Sequence, residues 1–188
     1  LKMLGVEKVL SVSAVGSLKE EIRPRDIVLP DQYFDRTKQS AAHTFFGGGM
    51  VAHVSFGEPA CAEMRCWVAE TAVRVIKDLV GGADVRVIDK GTYVNMEGPA
   101  FSTKAESYAY REQGFDVIGM TSLAEAKLCR EAGLCYQAMS MVTDYDCWHE
   151  TEAEVSVATV IEHLRANTRL AGEIIIALAG AIPADRTC

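Results

Sequence analysis

Short apolar segments alternate along the chain with longer segments of helical periodicity, and this alternation constrains the fold more than any other feature. The strand-like segments cover 8–15, 27–29, 85–94, 116–120 and 137–142. The helical segments cover 61–79, 102–113, 122–132 and the region from 157 to 178. Strands that alternate with helices predict an α/β fold with a largely parallel or mixed sheet. With 188 residues and no repeats or linkers, the chain is predicted to form a single domain, 1–188.

The net charge argues against several classes of partner. The chain has 19 Lys and Arg against 26 Asp and Glu, which gives a net charge of −7. A non-specific nucleic-acid binder needs a basic excess, so no nucleic-acid partner is expected, although a local phosphate pocket remains possible. No run of 18 apolar residues is present, which predicts no membrane span.

The cysteines and the start of the chain give two further expectations. The six cysteines include no C-x-x-C pair and no zinc-ligand spacing to histidine, so we expect no metal site, reduced thiols and a cytoplasmic protein. Leu1-Lys2-Met3 precedes an element that already looks structured, as in a chain whose beginning is missing.

Active sites in open α/β sheets gather where strands end, and two such junctions carry hydroxyl groups. In the first, Ser13 and small residues including Ala14 could let backbone N–H groups approach an anion, or the segment could be an ordinary turn. In the second, Thr121 could donate to an anion at a helix N-terminus, or simply cap that helix. Ser102 is a plausible N-cap of the helix that Gly114 would end.

A third junction carries two carboxylates between aromatic residues. Asp144 and Asp146 are two residues apart and would point the same way in an extended segment. Like charges held together raise one pKa, which would make a general acid. The alternative is a solvated turn. Phe101 follows a Gly-Pro turn and could stack on a planar base or belong to the core, and His53 lies among small and apolar residues, where a structural role is common.

Four motifs together carry a resemblance to a known family. They are SAVGSL at 13–18, MEGPAFS at 96–102, GMT at 119–121 and VTDYDCW at 142–148. In this order they resemble the trimeric purine nucleoside phosphorylase family, and within it the branch that acts on S-methyl-5′-thioadenosine. The resemblance implies a mixed twisted sheet or barrel core flanked by helices, a homotrimer, no cofactor, and inorganic phosphate as the co-substrate.

The resemblance also implies residue roles. Ser13, Ala14 and Thr121 would bind phosphate, and Asp144 and Asp146 would be catalytic and contact the base. The other expected substrate contacts are His53, Phe101, Ser102, Ile118, Met120, Val157, Val160 and Ile161. His53 would reach a neighbouring subunit, and the three residues between 157 and 161, which helical periodicity alone assigns to packing, would line a methylthio pocket.

The sequence departs from the family pattern in two positions and in length. Ala100 stands where a basic residue is usual, and Gly119 stands where Asn is common. The resemblance implies that the chain corresponds to the C-terminal two-thirds of the family domain, without the N-terminal phosphate loop and its Arg-His pair. Three alternatives stay open: a 6-oxopurine or methylthioinosine phosphorylase, a nucleosidase that uses water, and an inactive fragment that serves as an oligomerisation or binding module.

Overall fold

A computed structural model describes residues 1–80, 84–149 and 157–183. For residues 40, 41, 80 and 157–160 only the backbone is described. The strands are β1 (Lys8–Ser17), β2 (Ile27–Val28), β3 (Gln32–Arg36), β4 (Val87–Ile88), β5 (Thr92–Met96), β6 (Val117–Gly119) and β7 (Cys135–Tyr145). The helices are α1 (Ala62–Val80), α2 (Lys104–Glu112), α3 (Ser122–Glu131) and α4 (Val157–Ala179), with short 3₁₀ turns at Lys2–Leu4 and Ser40–His43.

The strands form one mixed sheet in the order β3-β5-β6-β1-β7-β2-β4. Strands β1 and β7, β2 and β4, and β3, β5 and β6 run parallel to their neighbours, whereas the β1–β6 and β2–β7 pairs are antiparallel. The predicted α/β class with a mixed sheet is therefore confirmed.

The long parallel pair of β1 and β7 forms the centre of the sheet. Its register runs from Lys8 opposite Cys135 to Ser17 opposite Tyr145. The register shifts after Val15, so that Thr143 is an extra residue on β7. Such β-bulges bend a strand and re-aim its side chains, and they often lie beside active sites. The hydroxyl oxygen of Thr143 lies 3.3 Å from the carbonyl oxygen of Val15.

Two helices cover one side of the sheet and build the largest part of the core. The buried apolar residues of α1 recur at helical spacing, as at Met64 and Val68, and meet Ile174 of α4 and Met139 of β7. This is the amphipathic pattern that the sequence predicts. A second apolar cluster, which includes Val15, Tyr93, Val117 and Val142, packs Tyr93 of β5 against β1, β6 and β7.

The segment 85–94 differs from its prediction as one interrupted strand. It forms two strands that lie far apart in the sheet, β4 at one edge beside β2 and β5 between β3 and β6. The carbonyl of Gly91 accepts hydrogen bonds from the N–H groups of Asp31 and Gln32, which lead into β3. An apolar run predicts burial, but it does not determine which neighbour each half pairs with.

The start of α2 also differs by one residue from the prediction. Thr103, not Ser102, is the N-cap: its hydroxyl accepts from the N–H of Glu106 at 3.2 Å, and its N–H donates to the Glu106 carboxylate at 2.9 Å. This reciprocal pair is a capping box. Gly114 follows the helix with φ +81°, which confirms its predicted place after the C-cap.

Within the described ranges, no helix is both long and apolar enough to cross a membrane. The same part of the chain holds no group of three His, Cys, Asp or Glu side chains arranged to bind a metal. Cys66, Cys129 and Cys147 carry free thiols, whereas Cys135 is disulfide-bonded, so the expectation of reduced thiols is wrong for Cys135.

Candidate active site

Gly16 is the point at which β1, β6 and β7 bring several predicted site residues together. It is paired with Ile118 of β6 on one side and with Asp144 of β7 on the other. A Cβ atom added to Gly16 would lie 3.3 Å from Cγ2 of Ile118 and 3.5 Å from Cβ of Asp146. A larger side chain would therefore push Ile118 and Asp146 away from their present positions.

The DYDCW segment is held to the end of β1 by one carbonyl group. Strand β7 extends through Thr143 to Tyr145, and the Thr143 hydroxyl donates to Oδ1 of Asp144 at 2.5 Å. The carbonyl of Ser17 then accepts two hydrogen bonds, one from the N–H of Asp146 at 2.9 Å and one from Nε1 of Trp148 at 2.8 Å. The aromatic flank of the motif thus fixes the backbone that carries Asp146.

Asp146 carries a carboxyl group that is partly removed from solvent. Its Oδ2 is buried and has no hydrogen-bond partner among the described residues. Burial raises the pKa of Asp146, and the neighbouring charge of Glu106 acts in the same direction. Asp146 does open a turn, because its carbonyl accepts from the N–H of His149 at 3.2 Å, but its carboxyl oxygen Oδ2 is buried rather than solvated. The sequence predicts a raised pKa from the Asp144–Asp146 pair, whereas burial is the main cause in the structure.

The MEGPAFS loop lies next to the carboxylates. The side chain of Phe101 is 84% exposed, so the alternative that it belongs to the core is wrong. The carbonyl of Ser102 accepts a hydrogen bond from Sγ of Cys147 at 3.3 Å, which ties the loop to the residue after Asp146. We call Phe101, Ser102, Asp144 and Asp146 the carboxylate half of the site.

Met120 connects this loop to the end of β6. A Cβ atom on Gly98, whose φ is +69°, would lie 2.6 Å from Sδ of Met120. The Met120 side chain therefore rests on the Gly98 backbone, which only glycine allows here. Ile118, two residues earlier, is 4% exposed and packs in the core with Leu18 and Trp148.

Ser13 presents a hydroxyl with no internal partner. Its Oγ is buried and makes no hydrogen bond to the described residues, and the same is true of Ser140, which lies opposite Ser13 on β7. Buried polar atoms are nearly always hydrogen-bonded, so such exceptions call for a partner from outside the chain or for water. The alternative of an ordinary turn is wrong, because β1 continues through Ala14 to Ser17.

Thr121 lies at the N-cap position of α3 but does not cap it. Its side chain is exposed and makes no capping hydrogen bond. Instead, Oδ1 of Asn95 on β5 accepts a hydrogen bond from the N–H of Leu123 at 3.0 Å. One of the free N–H groups in the first turn of α3 is thus satisfied by a side chain from a strand. The alternative that Thr121 acts only as a cap is therefore wrong.

Thr121 follows β6, the strand that pairs with the strand β1 of Ser13. Strand β6 is antiparallel to β1, with Ile118 opposite Gly16. Strand β6 ends at Gly119, and Thr121 lies two residues beyond it, at the turn into α3. We call Ser13, Ala14 and Thr121 the hydroxyl half of the site.

The remaining predicted residues are not brought into these two halves. Ile161 is 41% exposed on α4, and the side chains of Val157 and Val160 lie outside the described residues. Helix α4 is nevertheless anchored beside the site, because Nδ2 of Asn167 donates to the carbonyl of Val142 at 2.9 Å. His53 is exposed in the irregular segment between β3 and α1, and it shares no hydrogen bond with the other candidates in the described part of the chain.

Sequence reasoning missed the residues that support the site. Asn95 and Tyr93 on β5, Ser140 on β7 and Asn167 on α4 are buried beside it. A polar residue inside an apolar strand, such as Asn95 or Ser140, is a signal that could have found two of them. The position of Tyr93 explains why residue 119 is glycine. A Cβ on Gly119 would lie 2.7 Å from Cζ of Tyr93 and closer still to its hydroxyl, so an Asn at 119 would not fit.

Comparison with known proteins agrees with this fold and these motifs. The model of the phosphorylase superfamily (PNP_UDP_1) matches residues 1–179. The chain belongs to this superfamily. The predicted phosphorylase fold is confirmed, since a methylthioadenosine phosphorylase from an Antarctic soil metagenomic library superposes with a TM-score of 0.87 at 46% identity, over 96% of this chain and 61% of that one.

Two named relatives align with nearly the whole of this chain. An S-methyl-5′-thioadenosine phosphorylase of Koribacter versatilis is 54% identical over 100% of the chain and 61% of its own length. The methylthioadenosine phosphorylase of Schistosoma mansoni, solved in complex with adenine, is 33% identical with a TM-score of 0.88, over 99% of this chain and 69% of that one. The chain thus spans about 61% of the length of the Koribacter relative.

Proposed function

We propose that the natural protein containing this chain catalyses the phosphorolysis of S-methyl-5′-thioadenosine to adenine and 5-methylthioribose-1-phosphate. The observation that carries the proposal is the arrangement around Gly16. Asp144 and Asp146 lie beside it, the hydrogen bond from Cys147 to Ser102 ties them to the MEGPAFS loop, and the unpartnered Ser13 hydroxyl is on the same strand as Gly16. The names of the relatives support the same reaction.

The proposed chemistry assigns each half of the site a different task. An oxygen of phosphate bonds to C1′ of the ribose while the C1′–N9 bond breaks, and the sugar passes through an oxocarbenium-like state. The electron pair of the broken bond goes to adenine, which is neutralised by a proton at N7. Ser13, Ala14 and Thr121 hold the phosphate, and Met120 lies under the ribose. Phosphate is the co-substrate, and no cofactor takes part.

In this scheme Asp144 donates the proton to N7, while Asp146 and Ser102 read the amino edge of adenine and Phe101 packs on the base. General acid catalysis of this kind contributes about 10²–10⁴-fold. The buried, unpartnered Oδ2 of Asp146 supports a role in hydrogen bonding to the base, since the bound purine would supply the missing partner.

The quaternary and cellular context belongs to the same proposal. Val157, Val160 and Ile161 line the methylthio pocket, with His53 entering from a neighbouring subunit of a homotrimer. The exposure of His53 and of Ile161 supports a role in which another subunit covers them. The protein works in the cytoplasm, in methionine and purine salvage.

Adenine release with and without phosphate tests the reaction. We expect the natural protein to release adenine from methylthioadenosine only when phosphate is present. Release at the same rate in phosphate-free buffer would identify a nucleosidase instead. The 188-residue chain is assayed in parallel, and inactivity of this chain beside an active natural protein would show that these residues alone are a non-catalytic part of the enzyme.

Asp144→Asn tests the choice of base. A carboxyl group can donate or accept to suit a 6-aminopurine, whereas an amide suits a 6-oxopurine. We expect the variant to lose activity on methylthioadenosine by at least about 100-fold, within the range of a lost general acid, and to gain relative preference for inosine. An unchanged preference would contradict the role of Asp144. A wild-type preference for methylthioinosine would contradict adenine specificity.

A further inference from the structure

Tyr93 is completely buried on β5, and its ring fills the space beside Gly119. The ring is fixed from several sides: it packs on Tyr33 with the ring centroids 5.5 Å apart, and it shares an apolar cluster with Val15 and Val117. The hydroxyl at the end of this fixed ring therefore has a defined position, at the point where β6 ends and the chain turns towards α3.

The Tyr93 hydroxyl meets the backbone of the hydroxyl half. It accepts a long hydrogen bond from the N–H of Thr121, with an N···O distance of 3.5 Å. Thr121 needs such support, because its own side chain makes no capping bond and β6 ends at Gly119. A buried hydroxyl so placed holds backbone geometry, since packing alone is satisfied equally well by a phenylalanine ring.

We propose that Tyr93 is a positioning residue for phosphate binding: its hydroxyl holds the backbone of Thr121 so that the Thr121 side chain faces the phosphate beside Ser13. The inference rests on the proposed function. Gly119 is the required complement, because a side chain there would displace the Tyr93 hydroxyl from Thr121. Tyr93 and Gly119 thus act as a pair, although neither contacts the substrate.

Tyr93→Phe in the natural protein tests the inference, because it keeps the ring and removes only the hydroxyl. We expect the KM for phosphate to rise about tenfold, which corresponds to about 1.4 kcal/mol. The KM for the nucleoside and kcat should stay within about twofold, because Met120 and the carboxylate half keep their contacts. The matched control is Tyr33→Phe, which removes a buried hydroxyl from the adjacent ring but leaves Thr121 untouched.

Calorimetric titration with inorganic phosphate separates this inference from the proposed reaction. Weaker phosphate binding by Tyr93→Phe than by wild type and Tyr33→Phe supports the positioning role, even if adenine is not released. Equal phosphate affinity in a folded Tyr93→Phe, or an equal loss in Tyr33→Phe, overturns it. A wild type that binds no phosphate overturns the inference and the proposed function together.

The Tyr93–Gly119 pairing gives a second readout. Gly119→Ala should lower kcat/KM by at least about 100-fold in the wild-type background, because the added Cβ collides with the hydroxyl. In the Tyr93→Phe background the same substitution should cost less, since the closest atom is gone and only the ring carbon Cζ, 2.7 Å from the added Cβ, still has to shift. Additive losses would contradict the pairing.

Discussion

The carboxylate half and the hydroxyl half of the site are held in different ways. The carboxylate half is fixed by bonds within the chain: Asp146 and Trp148 both donate to Ser17, and Cys147 donates to Ser102. In the hydroxyl half, the Ser13 hydroxyl oxygen is buried without a partner. The Thr121 side chain makes no capping bond, and Asn95 accepts the hydrogen bond from the N–H of Leu123 at that helix end. The fold thus fixes the backbone of the carboxylate half and leaves Oδ2 of Asp146 open as an acceptor, whereas the hydroxyl half leaves side-chain hydroxyl groups open for a ligand.

This difference predicts opposite consequences for stability and function. Where side chains are bonded internally, substitution should first damage the fold. Where hydroxyl groups are left open, substitution should leave the fold intact and weaken ligand binding, because no internal hydrogen bond is lost.

Gly16→Val should have the largest effect, because it adds a side chain at the glycine that packs against Asp146 of the carboxylate half, on the same strand as Ser13 of the hydroxyl half. The valine side chain would need the space 3.3 Å from Ile118 and 3.5 Å from Asp146. We expect overpacking to cost about 1–3 kcal/mol of the free energy of unfolding. Displacement of Asp146 should lower adenine release by roughly 100-fold, of the order expected when catalytic groups are misplaced by about 1 Å.

Gly47→Val is the matched control, since Gly47 lies in an exposed loop with nothing within 4 Å of an added Cβ. Steady-state kinetics and chemical unfolding of both variants check this prediction. Near-normal activity in Gly16→Val would show that the convergence at Gly16 is not needed for the reaction.

Two serines on β1 offer a sharper test of the contrast. Ser13→Ala should raise the KM for phosphate about tenfold, the effect of about 1.4 kcal/mol, and leave thermal stability unchanged. Ser17→Ala should do the reverse, because the buried Ser17 hydroxyl donates to the carbonyl of Lys19 at 2.8 Å and accepts from its N–H at 3.1 Å. We expect it to lose about 1 kcal/mol of stability with normal phosphate affinity. The same profile in both variants would contradict the contrast between an open hydroxyl at Ser13 and an internally bonded one at Ser17.

The smallest expected effect is in the pH dependence of stability. Burial raises the pKa of Asp146 above its ordinary value of 3.8. Between 3.8 and the raised pKa the folded state holds more protons than the unfolded state, so this group lowers stability as pH rises through that window. Asp146→Asn should therefore be more stable than wild type at pH 7 and equally stable at pH 3, as measured by thermal unfolding.

Asp35→Asn is the opposite control. Partial burial alone would raise the pKa of Asp35, but hydrogen bonds from Lys127 and Thr37 lower this pKa below its ordinary value. Its contribution to stability is present at neutral pH and is lost as pH falls through that lowered pKa. Asp35→Asn should therefore lose stability at pH 7 but little under strongly acidic conditions. The same pH slope in both variants would contradict the assignment of a raised pKa to Asp146.

Much of the fold could be predicted because its signals are local. The helical stripe that starts near residue 61 and the glycine after α2 each follow from a few neighbouring residues, and both predictions match the structure. The separation of 85–94 into β4 and β5 could not be predicted, because it depends on partners elsewhere in the sheet. Strand β3 was missed altogether, since its sequence QYFDR is mostly polar or half-exposed.

For the site, the sequence by itself determined the chemistry: which residues carry hydroxyls, carboxylates and an aromatic ring, in an order that resembles one family. The tertiary structure decided which of these groups are satisfied and which are open. Ser17 binds two groups of the DYDCW segment, Asn95 takes over the cap from Thr121, and Tyr93 requires glycine at 119. Each is a contact between residues far apart in sequence, and it follows from the packing of strands against one another, which no local pattern encodes.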